Sequence, residues 1–382
     1  MVAIVLVLLP LLCGGRVAFA QEETNAAEAT AAPRLAASAW ALTDVSSGEY
    51  LAGESPDKRL PMASTTKIML ALVAFEEADL DEEVTVSQEA AAFATPAYSN
   101  VGLYPGDVVS VRELLMASLI SSGDDAAYAL AEHLGGDGGV EGCVARMNEK
   151  AAALGLDDTR FENPVGFDAE GHYSSARDLA EMTRLAMKYP EFREMVGTTY
   201  ASIITQDREI PLTNTNELLF TYAPATGVKT GTTPAAGPSL VSSAASGDES
   251  YISVVLDDAD RLNASIRLLE YGFAAHDRRD LVVKGERYAR ADVPYRRGET
   301  VPLVAQESVA GLVDGDSNVE HEVHVMGELP RSATPGTRLG EIVVEVDGEK
   351  VGESALVASE GYEKASIGER VWYTTSGLWK DP

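Results

Sequence analysis

Basic residues are scarce in this chain, and their scarcity excludes the commonest anionic partners. The 382 residues include 30 Lys and Arg against 60 Asp and Glu, which gives a formal net charge of −30. Binding to nucleic-acid phosphates needs a basic surface, and so does non-specific adhesion to an anionic membrane. We therefore expect no nucleic-acid partner and no electrostatic attachment to a bilayer.

Cysteine is rarer still, because the sequence contains only Cys13 and Cys143. Cys13 follows Leu12 in an N-terminal apolar segment, whereas a lipid-anchoring cysteine usually follows a small residue. Loss of that segment on export would leave Cys143 alone, and one cysteine cannot form an intrachain disulfide. Cys143 lies in a helical pattern with no histidine close in the sequence, so we expect a buried apolar residue and not a nucleophile.

Long hydrophobic runs are absent after residue 20, so the sequence offers no clear transmembrane anchor. Residues 2–12 are apolar, and an A-x-A cleavage pattern, Ala18-Phe19-Ala20, follows them. Residues 1–20 therefore resemble a secretory signal peptide, although the usual positive segment is missing and Arg16 lies on the wrong side of the apolar run. We expect an exported, extracytoplasmic protein that lies on the cell-wall side of the membrane or is secreted.

Histidine is also sparse, with five in the chain, and no group of them predicts a metal site. His321 and His324 lack the H-E-x-x-H spacing of zinc peptidases and lie on a predicted strand. Side chains three residues apart on a strand point to opposite faces, so these two cannot share an ion. We predict neither a metal nor any other cofactor.

The composition is that of a globular protein, with 45% hydrophobic and 24% charged residues. The length suggests two or three domains. We predict a flexible leader at 21–35, a main domain at 36–280, a β-rich domain at 281–360 and a polar tail at 361–382 without a clear amphipathic stripe.

The order of predicted elements indicates an α+β main domain. Apolar alternation predicts strands near both of its ends, at 38–43, 49–52, 201–213, 225–233, 238–245 and 250–256. Helical patterns lie mainly between them, with starts near Ser64, Ser110, Asp124 and Ser175 and a last helix at 259–271. We expect an antiparallel sheet built from both ends of the domain and flanked by helices. A small all-β domain follows, with Asp347-Gly348 as a hairpin turn.

Ser64-Thr65-Thr66-Lys67 is the first candidate for chemistry. Residues i and i+3 share a face of a helix, so the Lys67 amine can reach the Ser64 hydroxyl. A serine is a weak nucleophile until a base takes its proton, and a lysine with a lowered pKa can do so. Alone the pattern is weak evidence for a catalytic pair, because Ser55 and Lys58 have the same spacing. The Pro and Asp between those two residues indicate a turn.

Two further motifs strengthen the interpretation. Ser122-Gly123-Asp124 opens a predicted helix, where the serine taken alone would be a plain N-cap. Lys229-Thr230-Gly231 lies in a β-rich stretch, where a glycine permits close approach of another backbone and a lysine suits an anionic carboxylate. S-x-x-K, S-D-N and K-T-G together form the signature of serine β-lactamases and penicillin-binding proteins, and the three elements occur here in that order, the second as the variant Ser122-Gly123-Asp124.

The sequence around these motifs resembles that of the penicillin-binding D-alanyl-D-alanine carboxypeptidases, the low-molecular-mass serine enzymes that trim peptidoglycan. The segments that carry this resemblance are 61–69, 119–127, 163–180 and 227–241, and the similarity covers roughly 36–360. It implies a β-lactamase/transpeptidase-like catalytic domain at 36–280. It also implies, as partners, stem peptides that end in D-Ala–D-Ala and the β-lactams.

The resemblance also implies roles for individual residues. Ser64 would attack the D-Ala–D-Ala carbonyl, Lys67 would be the base and Ser122 would relay a proton to the leaving D-alanine. The substrate-binding set that it implies is Lys229, Thr230, Gly231, Thr232, Asp124 and Arg261. Backbone N–H groups of Ser64 and Thr232 would form the oxyanion hole, and Arg261 would help to hold the carboxylate unless it is a surface helix charge.

One position departs from the family pattern, because Asp124 replaces the usual Asn of the second motif. An ionised Asp accepts hydrogen bonds but cannot donate one to the substrate carbonyl, and it favours the charged form of Lys67. We therefore expect slower acylation than an Asn version would show.

Two alternatives remain open at this point. One is a serine β-lactamase of related fold, for which Glu162 is the candidate water-activating residue. The other is a non-catalytic penicillin- or wall-binding protein, which Asp124 alone favours. His172 lies in the 163–180 stretch and either covers the site or simply belongs to a loop.

Overall fold

The computed structural model describes residues 32–314 and 317–376. The predicted signal peptide at 1–20, with Cys13, lies outside the described residues. So does most of the predicted leader at 21–35.

Helices dominate the middle of the main domain, after a short 3-10 turn at Ala63–Thr66. In chain order they are α1 (Lys67–Glu77), α2 (Gln88–Ala91), α3 (Val111–Ile120), α4 (Asp124–Gly135), α5 (Gly139–Ala153), α6 (Ala176–Ala186), α7 (Pro190–Gly197), α8 (Leu218–Thr221) and α9 (Arg261–Ala275).

Strands come from both ends of this domain. They are β1 (Ala39–Asp44), β2 (Tyr50–Glu54), β3 (Glu83–Thr85), β4 (Val108–Ser110), β5 (Tyr200–Ile204), β6 (Glu209–Thr213), β7 (Ala225–Thr233), β8 (Gly237–Ser246) and β9 (Glu249–Leu256). Within the described residues β2-β1-β9-β8-β7 form one antiparallel sheet, in which Ala39 of β1 pairs with Leu256 of β9.

Helices cover both faces of this sheet. Ala39 and Ala41 of β1 pack in the large core with the helical middle, whereas Trp40 and Leu42 pack with α9 on the other face. This alternation follows from the two-residue period of a strand. Helix α1 is buried throughout its first eight residues, which places the segment after Ser64 in the centre of the domain.

The C-terminal part is built from strands with a core of their own. They are β10 (Asp277–Val282), β11 (Arg287–Asp292), β12 (Thr300–Ala305), β13 (Val309–Val313), β14 (Val319–Val325), β15 (Arg338–Val346) and β16 (Glu349–Ala358). Asp347 and Gly348 join β15 to β16 with positive φ angles of 52° and 84°, as a two-residue turn of type I′ requires.

Three local features differ from the sequence-based predictions. The strand expected at 201–213 is a hairpin of β5 and β6, whose polar connection lies between Ile204 and Glu209. Helix α7 begins at Pro190, where the sequence predicted no helix start, because the missing proline N–H costs nothing at the first helical position. The tail predicted as polar holds helix α10 (Ile367–Ser376), on which Ile367 and Val371 are exposed. Among the described helices, none combines the length and apolar character needed to cross a membrane.

Candidate active site

Ser64 lies on the 3-10 turn that precedes α1. The side-chain hydroxyls of Thr65 and Thr66 donate to the carbonyls of Met62 and Ala63, at 2.7 and 2.8 Å. Ala63 adopts a φ of +49°, in the left-handed region that alanine rarely enters. Unfavourable backbone conformations of this kind cluster at functional sites, and here one immediately precedes the predicted nucleophile.

The side-chain nitrogen of Lys67 lies beside Ser64. Lys67 Nζ is 3.0 Å from Ser64 Oγ, 2.6 Å from Asp124 Oδ1 and 3.1 Å from the carbonyl oxygen of Val165. The Lys67 side chain is fully buried. In its neutral form the amine would keep two N–H donors for Asp124 and Val165, and its lone pair could then accept from the Ser64 hydroxyl.

Burial and neighbouring charges set the pKa values of the two lysines. Burial lowers the pKa of Lys67, and the opposite charge of Asp124 partly restores it. The pKa of Lys229 lies well below its usual value, chiefly because the side chain is buried and secondly because Lys67 repels its charge. Burial therefore disfavours the charged form of both lysines, and at Lys67 the adjacent Asp124 carboxylate opposes that effect.

Ser122 and Asp124 lie at the start of α4, where both side chains are buried. Ser122 has a φ of +58°, so it also adopts the left-handed conformation uncommon for a residue other than glycine. The Asp124 N–H donates to the Ser99 carbonyl at 2.7 Å. Asp124 thus replaces an asparagine of the family pattern at a position in direct contact with Lys67.

Strand β7 brings the third motif against the turn that carries Ser64. A Cβ added to Gly231 would lie 2.9 Å from the Met62 carbonyl oxygen and 3.2 Å from the Ser64 nitrogen. A side chain there would displace one backbone or the other, which explains the glycine. Thr230 is buried and shares a hydroxyl–hydroxyl hydrogen bond with Thr215, whereas Thr232 is exposed at the site.

Arg261 contacts this strand and is not simply a surface charge. Its Nη1 donates to the carbonyls of Gly231 and Ser239, at 2.8 and 2.9 Å, and to Thr232 Oγ1 at 2.9 Å. Burial lowers its pKa. The guanidinium therefore holds the end of β7 and adds a positive charge beside Thr232.

The loop at 163–168 borders the site on the side of the turn that carries Ser64, a position that the three sequence motifs did not indicate. A Cβ on Gly166 would lie 2.0 Å from the Ala63 carbonyl oxygen, so this loop packs directly on the nucleophile turn. The Asn163 side chain accepts from the N–H groups of Gly166 and Phe167, at 2.7 and 3.0 Å. Asp168 accepts from the Thr233 hydroxyl at 2.5 Å and so ties the loop to β7.

Asp125 is a second residue that sequence reasoning missed. Its carboxylate accepts from the backbone N–H groups of Val101, Gly102 and Leu103, at 2.9 to 3.2 Å. It therefore fixes the loop whose Ser99 carbonyl accepts from Asp124. The one signal in the sequence was a second carboxylate at the start of a helix.

Glu162 does not occupy the position that a β-lactamase interpretation needs. Its carboxylate pairs with Arg160 at 2.9 Å, and it is exposed. The acceptors around Lys67 Nζ in the described part of the chain are Ser64, Asp124 and Val165. The same described part contains no cluster of metal-ligating side chains.

Comparison with known proteins identifies the family. The family model for D-alanyl-D-alanine carboxypeptidase matches residues 26–260, and the model for the C-terminal domain of penicillin-binding protein 5 matches residues 277–364. The chain is 32% identical to the D-alanyl-D-alanine carboxypeptidase DacF of Bacillus subtilis over 339 residues, which are 85% of this chain and 86% of that one. It is 34% identical to DacC of Escherichia coli over 376 residues, which are 93% and 90% of the two chains.

A solved structure agrees with the sequence matches. Penicillin-binding protein 5 from Haemophilus influenzae superimposes with a TM-score of 0.67 at 29% identity, over 87% of this chain and 99% of that one. This similarity confirms the predicted fold class, in which a β-lactamase/transpeptidase-like domain precedes a small all-β domain. The chain therefore belongs to the D-alanyl-D-alanine carboxypeptidase family of serine peptidases.

Proposed function

We propose that this protein removes the terminal D-alanine from peptidoglycan stem peptides through an acyl-enzyme on Ser64, and that penicillins acylate the same hydroxyl. The observation that carries the proposal is the buried Lys67 Nζ at 3.0 Å from Ser64 Oγ. A buried amine with a lowered pKa can take the serine proton at the moment of attack.

Acylation begins when Ser64 Oγ attacks the carbonyl carbon of the D-Ala–D-Ala bond and Lys67 takes the hydroxyl proton. The backbone N–H groups of Ser64 and Thr232 receive the oxyanion, an assignment supported by the packing of Gly231 against the Ser64 nitrogen. The C–N bond then breaks as Ser122 gives its hydroxyl proton to the leaving amine and takes in return the proton held by Lys67. Water then attacks the resulting ester and gives up a proton, the C–O bond to Ser64 breaks, and the Ser64 oxygen takes that proton.

The terminal carboxylate of the substrate is the group that fits the third motif. Lys229 is buried, its Nζ donates to the Thr230 carbonyl at 3.2 Å, and its lowered pKa should rise again when an anion binds. Thr230 and Thr232 offer hydroxyls, and Gly231 permits the close approach of β7. Arg261 supports this surface through Thr232 and the neighbouring carbonyls.

The same proposal assigns different parts of the chain to separate domains. Residues 36–280 would carry the chemistry, and 281–360 would form a separate domain, which the distinct core of the C-terminal strands supports. The A-x-A pattern at 18–20 supports export, so the substrate would be met outside the cytoplasmic membrane.

The direct test of this function is release of D-alanine from an N-acylated peptide that ends in D-Ala–D-Ala. We expect release by the wild type and none above background by Ser64→Ala, because the hydroxyl is the nucleophile. The two alternatives predict different results. A β-lactamase would hydrolyse penicillin with rapid turnover but leave the peptide intact, and a binding protein would release no D-alanine at all.

Asp124 slows acylation in this account, and Asp124→Asn is expected to accelerate it about tenfold at neutral pH. The substitution removes the charge that raises the pKa of Lys67, and each unit of decrease raises the neutral fraction of the amine about tenfold. Because neutral Lys67 is the base, the rising limb of the pH–rate profile should shift to lower pH. The measurement is the acylation rate with benzylpenicillin from pH 5 to 10.

The matched control is Glu162→Gln, which removes one negative charge that lies outside the contact with Lys67. Its acylation and deacylation rates should equal those of the wild type. An Asp124→Asn variant that acylates no faster than the wild type contradicts the proposed effect of Asp124. Slow deacylation in Glu162→Gln would instead favour the β-lactamase interpretation.

A further inference from the structure

His172 contacts the turn that carries Ser64, although it is not part of any of the three motifs. Its side chain is buried and packs edge-on against Phe161. Its Nδ1 is 3.0 Å from the backbone nitrogen of Glu162, and its Nε2 is 2.9 Å from Thr66 Oγ1. Thr66 is separated from His172 by 106 residues in the sequence.

These contacts form a chain of hydrogen bonds from the Glu162 N–H through His172 and Thr66 to the Ala63 carbonyl. The backbone N–H of Glu162 fixes the direction of each of them. The Glu162 N–H can only donate, so His172 Nδ1 accepts and the ring proton lies on Nε2. Nε2–H therefore donates to Thr66 Oγ1, and the Thr66 hydroxyl in turn donates to the Ala63 carbonyl at 2.8 Å. Each donor in the chain has one acceptor.

The ring stays neutral under ordinary conditions, which keeps this direction. Burial lowers the pKa of His172 to about 4, although Glu162 and Asp168 act in the opposite sense. A charged ring would carry a proton on Nδ1 facing the Glu162 N–H, and the chain would break.

This series of hydrogen bonds ends at Ala63, which, like Ser122, has a left-handed backbone. Ala63 has a φ of +49°, and its carbonyl oxygen receives the Thr66 hydroxyl while Gly166 packs against it. Ser64 follows immediately, and its hydroxyl must stay within reach of Lys67 Nζ. A hydrogen bond that holds the Ala63 carbonyl therefore also holds the backbone from which Ser64 Oγ projects.

We propose that His172, as the neutral Nε2–H tautomer, is a positioning residue that holds the nucleophile turn through Thr66. It does not touch the substrate, so its effect should fall on the acylation step and not on initial binding. The inference rests on the proposed function, since the quantity it controls is the reactivity of Ser64.

Two substitutions at His172 separate the two hydrogen bonds. The amide nitrogen of His172→Gln can reach the Nε2 position and keep the donor to Thr66. The amide of His172→Asn reaches only the Nδ1 position, so it keeps the contact with Glu162 and loses that donor. We expect His172→Gln to acylate with benzylpenicillin within about threefold of the wild type, whereas His172→Asn loses about 10- to 100-fold.

Thr66 supplies the second half of the test. Thr66→Ser keeps the hydroxyl and should retain the rate, whereas Thr66→Val removes it in the same shape and should lose as much as His172→Asn. The double variant should be no slower than the slower single variant, because both break one chain. Urea midpoints measured on every variant show whether the folded state persists during the assay.

Histidine NMR of the unacylated wild type tests the geometry without relying on acylation. The ring nitrogen shifts of His172 should show the neutral Nε2–H tautomer at pH 7, and Thr66→Val should move the Nε2 signal. An Nδ1–H tautomer overturns the inference, as do equal rate losses in His172→Gln and His172→Asn or additive losses in the double variant. Wild-type protein that shows the Nε2–H tautomer but no Ser64 adduct contradicts the proposed function instead.

Discussion

Lys67→Met is expected to lower the rate of Ser64 acylation by about 10²- to 10⁴-fold, the usual range for loss of a positioned general base. Methionine has a similar length but no lone pair basic enough to take the Ser64 proton. The measurement is the second-order rate of acylation with benzylpenicillin, followed by intact mass at pH 7.

Folding must be separated from chemistry in this experiment, because Lys67 also neutralises a buried carboxylate. Removing one partner of a buried ion pair typically costs about 3–5 kcal/mol of stability, and Asp124 would be left without its cation. The double variant Lys67→Met/Asp124→Asn removes that charge and should regain stability without regaining the rate. Lys67→Arg keeps the positive charge but cannot act as a base, so it should remain slow.

A rate that returns in the double variant would mean that Lys67 is needed for structure and not for proton transfer. The same conclusion would follow from a Lys67→Arg variant that acylates like the wild type. Either result would leave the proton of Ser64 without an acceptor in the proposed mechanism.

Gly166→Ala is expected to reduce both stability and acylation. An alanine at a φ of +99° costs about 1–2 kcal/mol, and its Cβ would lie 2.0 Å from the Ala63 carbonyl oxygen. Forcing the two backbones apart adds about 1–3 kcal/mol and displaces Ser64, whose nitrogen lies 2.8 Å from that same Cβ. A displacement of about 1 Å at a reacting group can lower a rate on the order of 10²-fold.

Gly155→Ala is the matched control for this prediction. Gly155 has a φ of +70° and no atom within 4 Å of an added Cβ, so it carries the backbone cost without the clash. Urea unfolding should show a loss of about 1–2 kcal/mol for Gly155→Ala, and its acylation rate should be unchanged. Equal losses of stability and rate in the two variants would show that the 163–168 loop does not hold the nucleophile turn.

Features that depend on near neighbours in the chain were predictable from the sequence. The serine and lysine three residues apart at the start of α1 indicated their contact. The Ser110–Glu113 capping box predicted the start of α3. Period-two alternation located β1 and β9, and the Asp347-Gly348 pair located the hairpin of β15 and β16.

Features that depend on distant partners were not predictable. Gly166 looks like any loop glycine until the fold places it against Ala63, about a hundred positions earlier. Asp125 looks like a solvated helix-start charge until three N–H groups of another loop converge on it. For His172 the sequence left open a position over the site or in a loop, and its contact with Thr66 could not be foreseen because the two residues lie 106 positions apart. The motifs indicate which groups react, whereas long-range packing decides what holds them.

The most direct measurement is a time course of intact mass for the mature chain with benzylpenicillin, followed by peptide mapping of the adduct. Our account predicts one long-lived penicilloyl group on Ser64, formed at a rate that Lys67→Met lowers and absent from Ser64→Ala. An adduct at another residue, or none under conditions in which the protein is folded, would contradict the claim that Ser64 and Lys67 form the acylating pair.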